Sequence, residues 1–163
     1  MNKLFYSFPN QQSFAFVART GTSAILLAAV QNFGINDGLP LLCSDNLPTQ
    51  CCVVVRNPIE RFRSNLWVMR TSATNAIEKL QYLAAYEPNK RSWLQHFRPV
   101  STIVQSDSRL FKFFDPEIWT ALKLPPYSEL VSNSQHHPEL TPEQEDKVRK
   151  IYAEDIALWK SLQ

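Results

Sequence analysis

Cys52-Val-Val-Val-Arg56 is the most continuous apolar, β-branched run in the chain, and Asn57-Pro58 cuts it off at once. β-branched side chains favour extended backbone, and a run without polar alternation fits a strand covered on both faces. Proline cannot sit inside a central strand but suits the first turn of a helix, so a helix over 59–69 is expected to follow. The same grammar appears upstream. Phe14-Ala-Phe-Val-Ala18 reads as a buried strand, Arg19-Thr-Gly-Thr-Ser23 as a tight loop, and 24–33 as a helix closed by Gly34. Strand, loop and helix in that order, twice, predict an α/β domain with a small parallel sheet flanked by helices. Ligands of such sheets gather outside the carboxyl ends of the strands, where both loops fall.

The rest of the chain is filled in more coarsely. Residues 36–50 hold Gly38, Pro40 and Pro48 and read as loop. A second helix is expected over 74–86, loop over 88–99, strands over 102–105 and 110–114, and a helix over 116–122. Thr141, followed by Gln144, opens the last helix with a capping box, and Val148, Ile151, Tyr152, Asp155 and Leu158 run along it at helical spacing. Trp67, Trp93, Trp119 and Trp159 are expected in the core, with Trp93 the one placed to stack on a ligand ring. No repeat or linker divides the chain, so residues 1–163 read as a single domain.

Composition narrows the function. A net charge of +2 is too small for a nucleic-acid coat, so any anion site must be local. Cys43, Cys51 and Cys52 show no CxxC spacing and no His cluster beside them; they read as reduced thiols, the last two buried. The first ten residues lack the apolar core of a signal peptide, and the stretch 24–30 is too short to span a bilayer, so a cytoplasmic chain without a membrane span is expected.

The chemistry falls on the two loops. After a strand, Arg19-Thr-Gly-Thr-Ser23 would point backbone N–H groups at one spot, with the positive end of a helix behind them. Gly21 permits the turn, Thr20, Thr22 and Ser23 offer hydroxyls, and Arg19 offers a permanent forked cation. The loop lacks the GxxxxGK[ST] pattern of a Walker A sequence, and by itself it reads equally as a plain strand-to-helix turn. In the second loop Arg56 ends a strand and Ser64 lies two turns into the next helix, where both can reach one anion. Glu60 and Arg61 are weaker candidates there, each better read as part of a solvated or salt-bridged helix face.

These residues resemble the sulfotransferase family that uses 3′-phosphoadenosine 5′-phosphosulfate (PAPS), in its carbohydrate sulfotransferase form. Arg19-Thr-Gly-Thr-Ser23 is similar to the family's 5′-phosphosulfate loop, usually KTGTTS. Val54-Val-Arg56-Asn-Pro58-Ile-Glu-Arg61-Phe-Arg-Ser64 is similar to its 3′-phosphate motif, RDPxxRxxSxY. His96-Phe-Arg-Pro99, Leu110-Phe-Lys-Phe-Phe-Asp115 and the stretch from Leu140-Thr-Pro-Glu143 to Tyr152-Ala-Glu-Asp155 resemble later family segments in the same order. Arg19 stands in place of lysine, and Asn57 in place of aspartate.

The resemblance implies a P-loop-like three-layer domain that binds PAPS and passes its sulfuryl group to an acceptor hydroxyl of a glycan or small alcohol, without a metal. Thr20, Gly21, Thr22 and Ser23 would then cradle the 5′ side, and Arg56 and Ser64 the 3′-phosphate. Arg19 would stabilise the leaving group. His96 and Asp45 are the candidate general bases, with Asp37 behind them and a backbone-bonded structural role as the alternative for His96. His136 and His137, ahead of Pro138, read as exposed loop residues. Two other readings stay open: a nucleotide-binding module without catalysis, and a small-molecule kinase, the latter disfavoured because Val55-Arg56 ends its strand in a cation where an acidic residue would be needed.

Overall fold

The computed structural model describes residues 2–35, 37–82, 95–126 and 137–163. Its strands are β1 (Lys3–Ser7), β2 (Ser13–Ala15), β3 (Leu42–Ser44), β4 (Cys52–Val55) and β5 (Arg109–Lys112). Its helices are α1 (Thr22–Phe33), α2 (Pro58–Met69), α3 (Ala73–Tyr82), α4 (Glu117–Leu122), α5 (Pro142–Ile151) and α6 (Ala153–Ser161), with a 3₁₀ turn at Val100–Thr102.

The strands form one sheet in the order β3-β1-β2-β4-β5. β2, β4 and β5 run parallel, with Phe14 opposite Cys52 and Val53 opposite Leu110. β1 is antiparallel to both β2 and β3, so the sheet is mixed, not purely parallel as expected. The antiparallel step comes from a tight hairpin. Phe8 N donates to Gln12 O at 2.8 Å, Gln11 N donates to Phe8 O at 2.9 Å, and Gln11 takes a left-handed φ of 67°.

β4 is buried throughout, and its alternate side chains feed two different cores. Cys52 and Val54 pack with Phe14, Ile25, Ala29, Trp119 and Leu122 beneath α1 and α4. Cys51, Val53 and Val55 pack on the other face with Ala15, Val17, Val100 and Ile103, closed over by Leu158 and Trp159 of α6. Period-2 alternation in a uniformly apolar strand is what produces the helix–sheet–helix layering. A third core joins α2, α3 and α5 through Phe62, Leu66, Ile77, Val148 and Tyr152, with Phe97 among them.

Four further expectations need correction. Residues 36–50 contain a strand: β3 pairs Leu42 with Phe5 and Cys43 with Leu4, although all three of its residues are exposed. Residues 102–105 are not a strand, because the Asp155 carboxylate accepts from the N–H groups of Val100 and Ser101 at 2.7 and 2.8 Å and curls the chain into the 3₁₀ turn. The last helix breaks at Tyr152, whose φ of −105° separates α5 from α6. Trp67 is exposed on α2, whereas Trp119 is buried as expected; Trp93 lies outside the described residues. The expected helix over 74–86 is described to Tyr82.

Candidate functional site

β2 and β4 are adjacent and parallel, so the loops that leave their carboxyl ends lie side by side. They touch directly. Arg56 Nη1 donates to the Arg19 carbonyl at 3.1 Å, and Arg19 Nε donates to Ser64 Oγ at 2.7 Å. Arg19, Arg56 and Ser64 therefore converge on one spot, the first two from the strand ends and the third from two turns into α2.

Each loop is shaped by its own sequence. Arg19 and Gly21 are both left-handed, with φ of 64° and 84°. No side chain caps the amino end of α1, and its first turn holds no acidic residue. Its leading N–H groups thus face outward with the positive end of the dipole. Thr20 and Thr22 serve the loop instead of a ligand: both hydroxyls donate to the Val17 carbonyl, at 2.7 and 3.3 Å. Ser23 is exposed. In the second loop Asn57 does the capping job, its Oδ1 accepting from the N–H groups of Ile59 and Glu60 at 3.0 and 3.3 Å. That role needs a short acceptor and not a charge, so asparagine serves where the sulfotransferase motif has aspartate.

The electrostatics are those of a place waiting for negative charge. Burial pushes the Arg19 guanidinium down from its ordinary pKa. Arg56 is lowered too, first by burial and then by repulsion from Arg19 and Arg61, against a partial offset from Glu60. The Glu60 carboxylate stands 3.9 Å from Arg56 Nε, too far for a hydrogen bond, and Nε is buried with no hydrogen-bond partner among the described residues. The Arg56 guanidinium lies over the Phe113 ring, 4.7 Å from its centroid. Phe113 also lines a small recess bounded by Gly21, Ala24, Phe114, Asp115 and Trp119.

The interior of α2 ties the site to a third segment. Arg61, expected on an exposed or salt-bridged face, is fully buried; its Nε donates to the Ala18 carbonyl and its Nη2 to the His96 carbonyl, both at 3.0 Å. Asn65 Nδ2 donates to the same His96 carbonyl at 2.6 Å. Tyr152 OH donates to Phe97 O at 2.6 Å, so the residue between α5 and α6 and the inner face of α2 grip residues 96–97 between them. These bonds hold the His96 backbone, while its Nδ1 is buried with no partner. Burial, then the charges of Arg61 and Arg19, push the His96 pKa down, which keeps the imidazole neutral and able to accept a proton near pH 7.

The candidate residues thus divide. Arg19, Thr20, Gly21, Thr22, Arg56, Ser64 and His96 share one end of the sheet's parallel half. Asp45 stands further off: it follows β3, two strands or roughly 10 Å from β2, at the same end of the sheet. Asp37 is exposed beyond the far end of α1. Cys51 and Cys52 are buried free thiols, with burial holding Cys51 up at about 11, and Cys43 is an exposed one. His136 lies outside the described residues. Among the described residues no cluster of three His, Cys, Asp or Glu side chains could hold a metal, and no helix is long and apolar enough to cross a membrane.

Sequence reasoning missed three contributors. Arg61 and Asn65 recur at the spacing of the inner face of α2, a signal that could have placed them with buried Phe62 and Leu66. Phe113 carried no signal before its contact with Arg56 was known. Compared with protein-family models, with curated proteins and with solved structures, the chain matches none of them.

Proposed function

We propose that this chain binds PAPS and transfers its sulfuryl group to an acceptor hydroxyl, on a P-loop-like α/β framework. One observation carries the reading: two arginines and a buried serine from neighbouring strand ends converge where no carboxylate hydrogen-bonds either guanidinium among the described residues. Packed cations of this kind repel one another, and a bound phosphate would relieve that cost. The uncapped α1 terminus beside them suits a second anionic group, and Phe113, at the edge of a small apolar recess of about 50 Å³, offers a ring on which a nucleobase would stack. A nucleotide with phosphates on both sides of its ribose has this combination of needs.

In the proposed reaction the acceptor oxygen attacks sulfur, and the bond from sulfur to the bridging phosphate oxygen breaks. The electron pair leaves with adenosine 3′,5′-bisphosphate, and the acceptor proton passes to the His96 imidazole. Arg19 and the N–H groups at the start of α1 would stabilise the charge that grows on the bridging oxygen. Among the two base candidates the geometry favours His96, which feels the charge of Arg19, over Asp45. The acceptor class, a glycan or small alcohol, rests on the sequence resemblance.

The test is transfer of labelled sulfate from PAPS across a panel of glycans and alcohols. Turnover that Arg19→Ala removes while bisphosphate still binds supports the reading. A second reading, a nucleotide-binding module without catalysis, draws on Arg19 being turned onto Ser64 and on Thr20 and Thr22 being engaged with Val17. Bisphosphate binding with no transfer to any acceptor would favour it.

A further inference from the structure

Asn65 follows Ser64 directly on α2, yet the chemistry above gives it no part. It is fully buried. Phe62 and Leu66, which share the buried face of the helix with it, belong to the core that joins α2, α3 and α5. Such a place suits leucine. Asparagine is the poorer helix former, and its amide must be stripped of water to sit there. The amide is only half satisfied: Nδ2 donates to the His96 carbonyl at 2.6 Å, while Oδ1 is buried with no hydrogen-bond partner among the described residues. An orphaned buried acceptor destabilises a fold, so stability alone does not account for an asparagine at this position.

What the side chain does hold is the segment that carries His96. One helical turn earlier, Arg61 Nη2 donates to the same His96 carbonyl at 3.0 Å, and Arg61 Nε donates to the Ala18 carbonyl at 3.0 Å. The His96 carbonyl thus accepts from two side chains of one helix face, which engages both of its lone pairs. Between those two residues on the helix, Ser64 accepts from Arg19. The stretch 61–65 of α2 therefore grips the loop after β2 and residue 96 together. Among these hydrogen bonds, the one from Asn65 is directed at residue 96 alone.

We infer that Asn65 is a positioning residue of this site: through the His96 carbonyl it fixes residue 96 relative to the anion cradle of Arg19, Arg56 and Ser64, in a place where an apolar side chain would make the fold more stable. This rests on the reaction proposed above, in which the His96 imidazole takes the acceptor proton. Proton transfer weakens steeply when the base is misplaced. Donor binding, which falls to Arg56, Ser64 and the start of α1, does not involve residue 96. Asn65 itself touches neither the donor nor the proton.

The experiment compares the full chain with Asn65→Leu. Leucine has the same branched outline, and the change removes both the hydrogen bond and the orphaned oxygen, while Arg61 still donates to the His96 carbonyl. The variant should unfold at the same denaturant concentration as the wild type or a higher one. Its affinity for adenosine 3′,5′-bisphosphate by calorimetry and its KM for PAPS should be unchanged. Its kcat for sulfate transfer should fall roughly tenfold to a hundredfold. In NMR spectra of the free proteins the His96 ring resonance should move, and its pKa, held down first by burial, should rise toward the ordinary value as the ring loosens. A variant clearly less stable than the wild type would overturn the inference, because stability would then explain the asparagine. An unchanged kcat, or a fallen kcat with an unmoved His96 resonance, would overturn it and leave the transferase reading standing. A loss of bisphosphate affinity as large as the loss of kcat would overturn it too, since the effect would then lie in donor binding. A wild type that transfers sulfate to no acceptor would overturn the proposed reaction and this role with it.

Discussion

Arg56 makes three different uses of one guanidinium: a hydrogen bond to the Arg19 carbonyl, a cation–π contact with Phe113, and an unpartnered Nε. Arg56→Ala should erase any preference for adenosine 3′,5′-bisphosphate over 5′-AMP, read as the difference in thermal stabilisation by the two ligands. Arg56→Lys should recover little, since an ammonium cannot reproduce the fork or the ring contact together. The histidines set a pH dependence of stability. His96 and His137 both hold protons less tightly folded than their ordinary value of 6.5, so the unfolded chain binds more protons just below that pH. Their contribution is present above 6.5 and lost as pH falls beneath it. The melting temperature should drop through that window, and His96→Gln should flatten the slope; an unchanged slope would contradict it. At this scale the sequence singled out Arg19, Arg56 and Ser64, which the structure joins through two hydrogen bonds. It was least informative for Arg61 and Asn65, whose partners are backbone carbonyls of residues far away in the chain.

The elements that could be read were those whose reason for existing is local. β4 and α2 were legible because a β-branched run, an asparagine cap and a proline lie together, and α5 because Thr141 and Gln144 form its capping box. β3 was not, because neither face is buried and only pairing with β1 makes it a strand. Residues 102–105 misled for the converse reason: their β-branched composition is overruled by a carboxylate from α6. A second long-range contact, from Tyr152 to the Phe97 carbonyl, lies beside His96. Tyr152→Phe should cost about 1–2 kcal/mol in denaturant unfolding by removing the buried 2.6 Å hydrogen bond to the Phe97 carbonyl. Gly21→Ala should cost about 1–2 kcal/mol through backbone strain at φ 84°, since the added Cβ would meet only Phe113 Cε2 at an ordinary 3.5 Å. A Gly21→Ala protein as stable as the wild type would show that the loop relaxes out of the left-handed region.

For the molecule as a whole, the mixed sheet matters less than the parallel half within it. β1 and β3 extend the sheet on one side, while β2, β4 and β5 keep the parallel order that aims two loops at one place. The central claim is that a single nucleotide bridges these loops. A crystal structure of the protein with adenosine 3′,5′-bisphosphate tests it most directly. The account predicts the 3′-phosphate on Arg56 and Ser64, the 5′-phosphate on the backbone N–H groups at the start of α1, and the adenine against the Phe113 ring. A nucleotide bound elsewhere, or one that leaves Arg19 and Arg56 untouched, would contradict it.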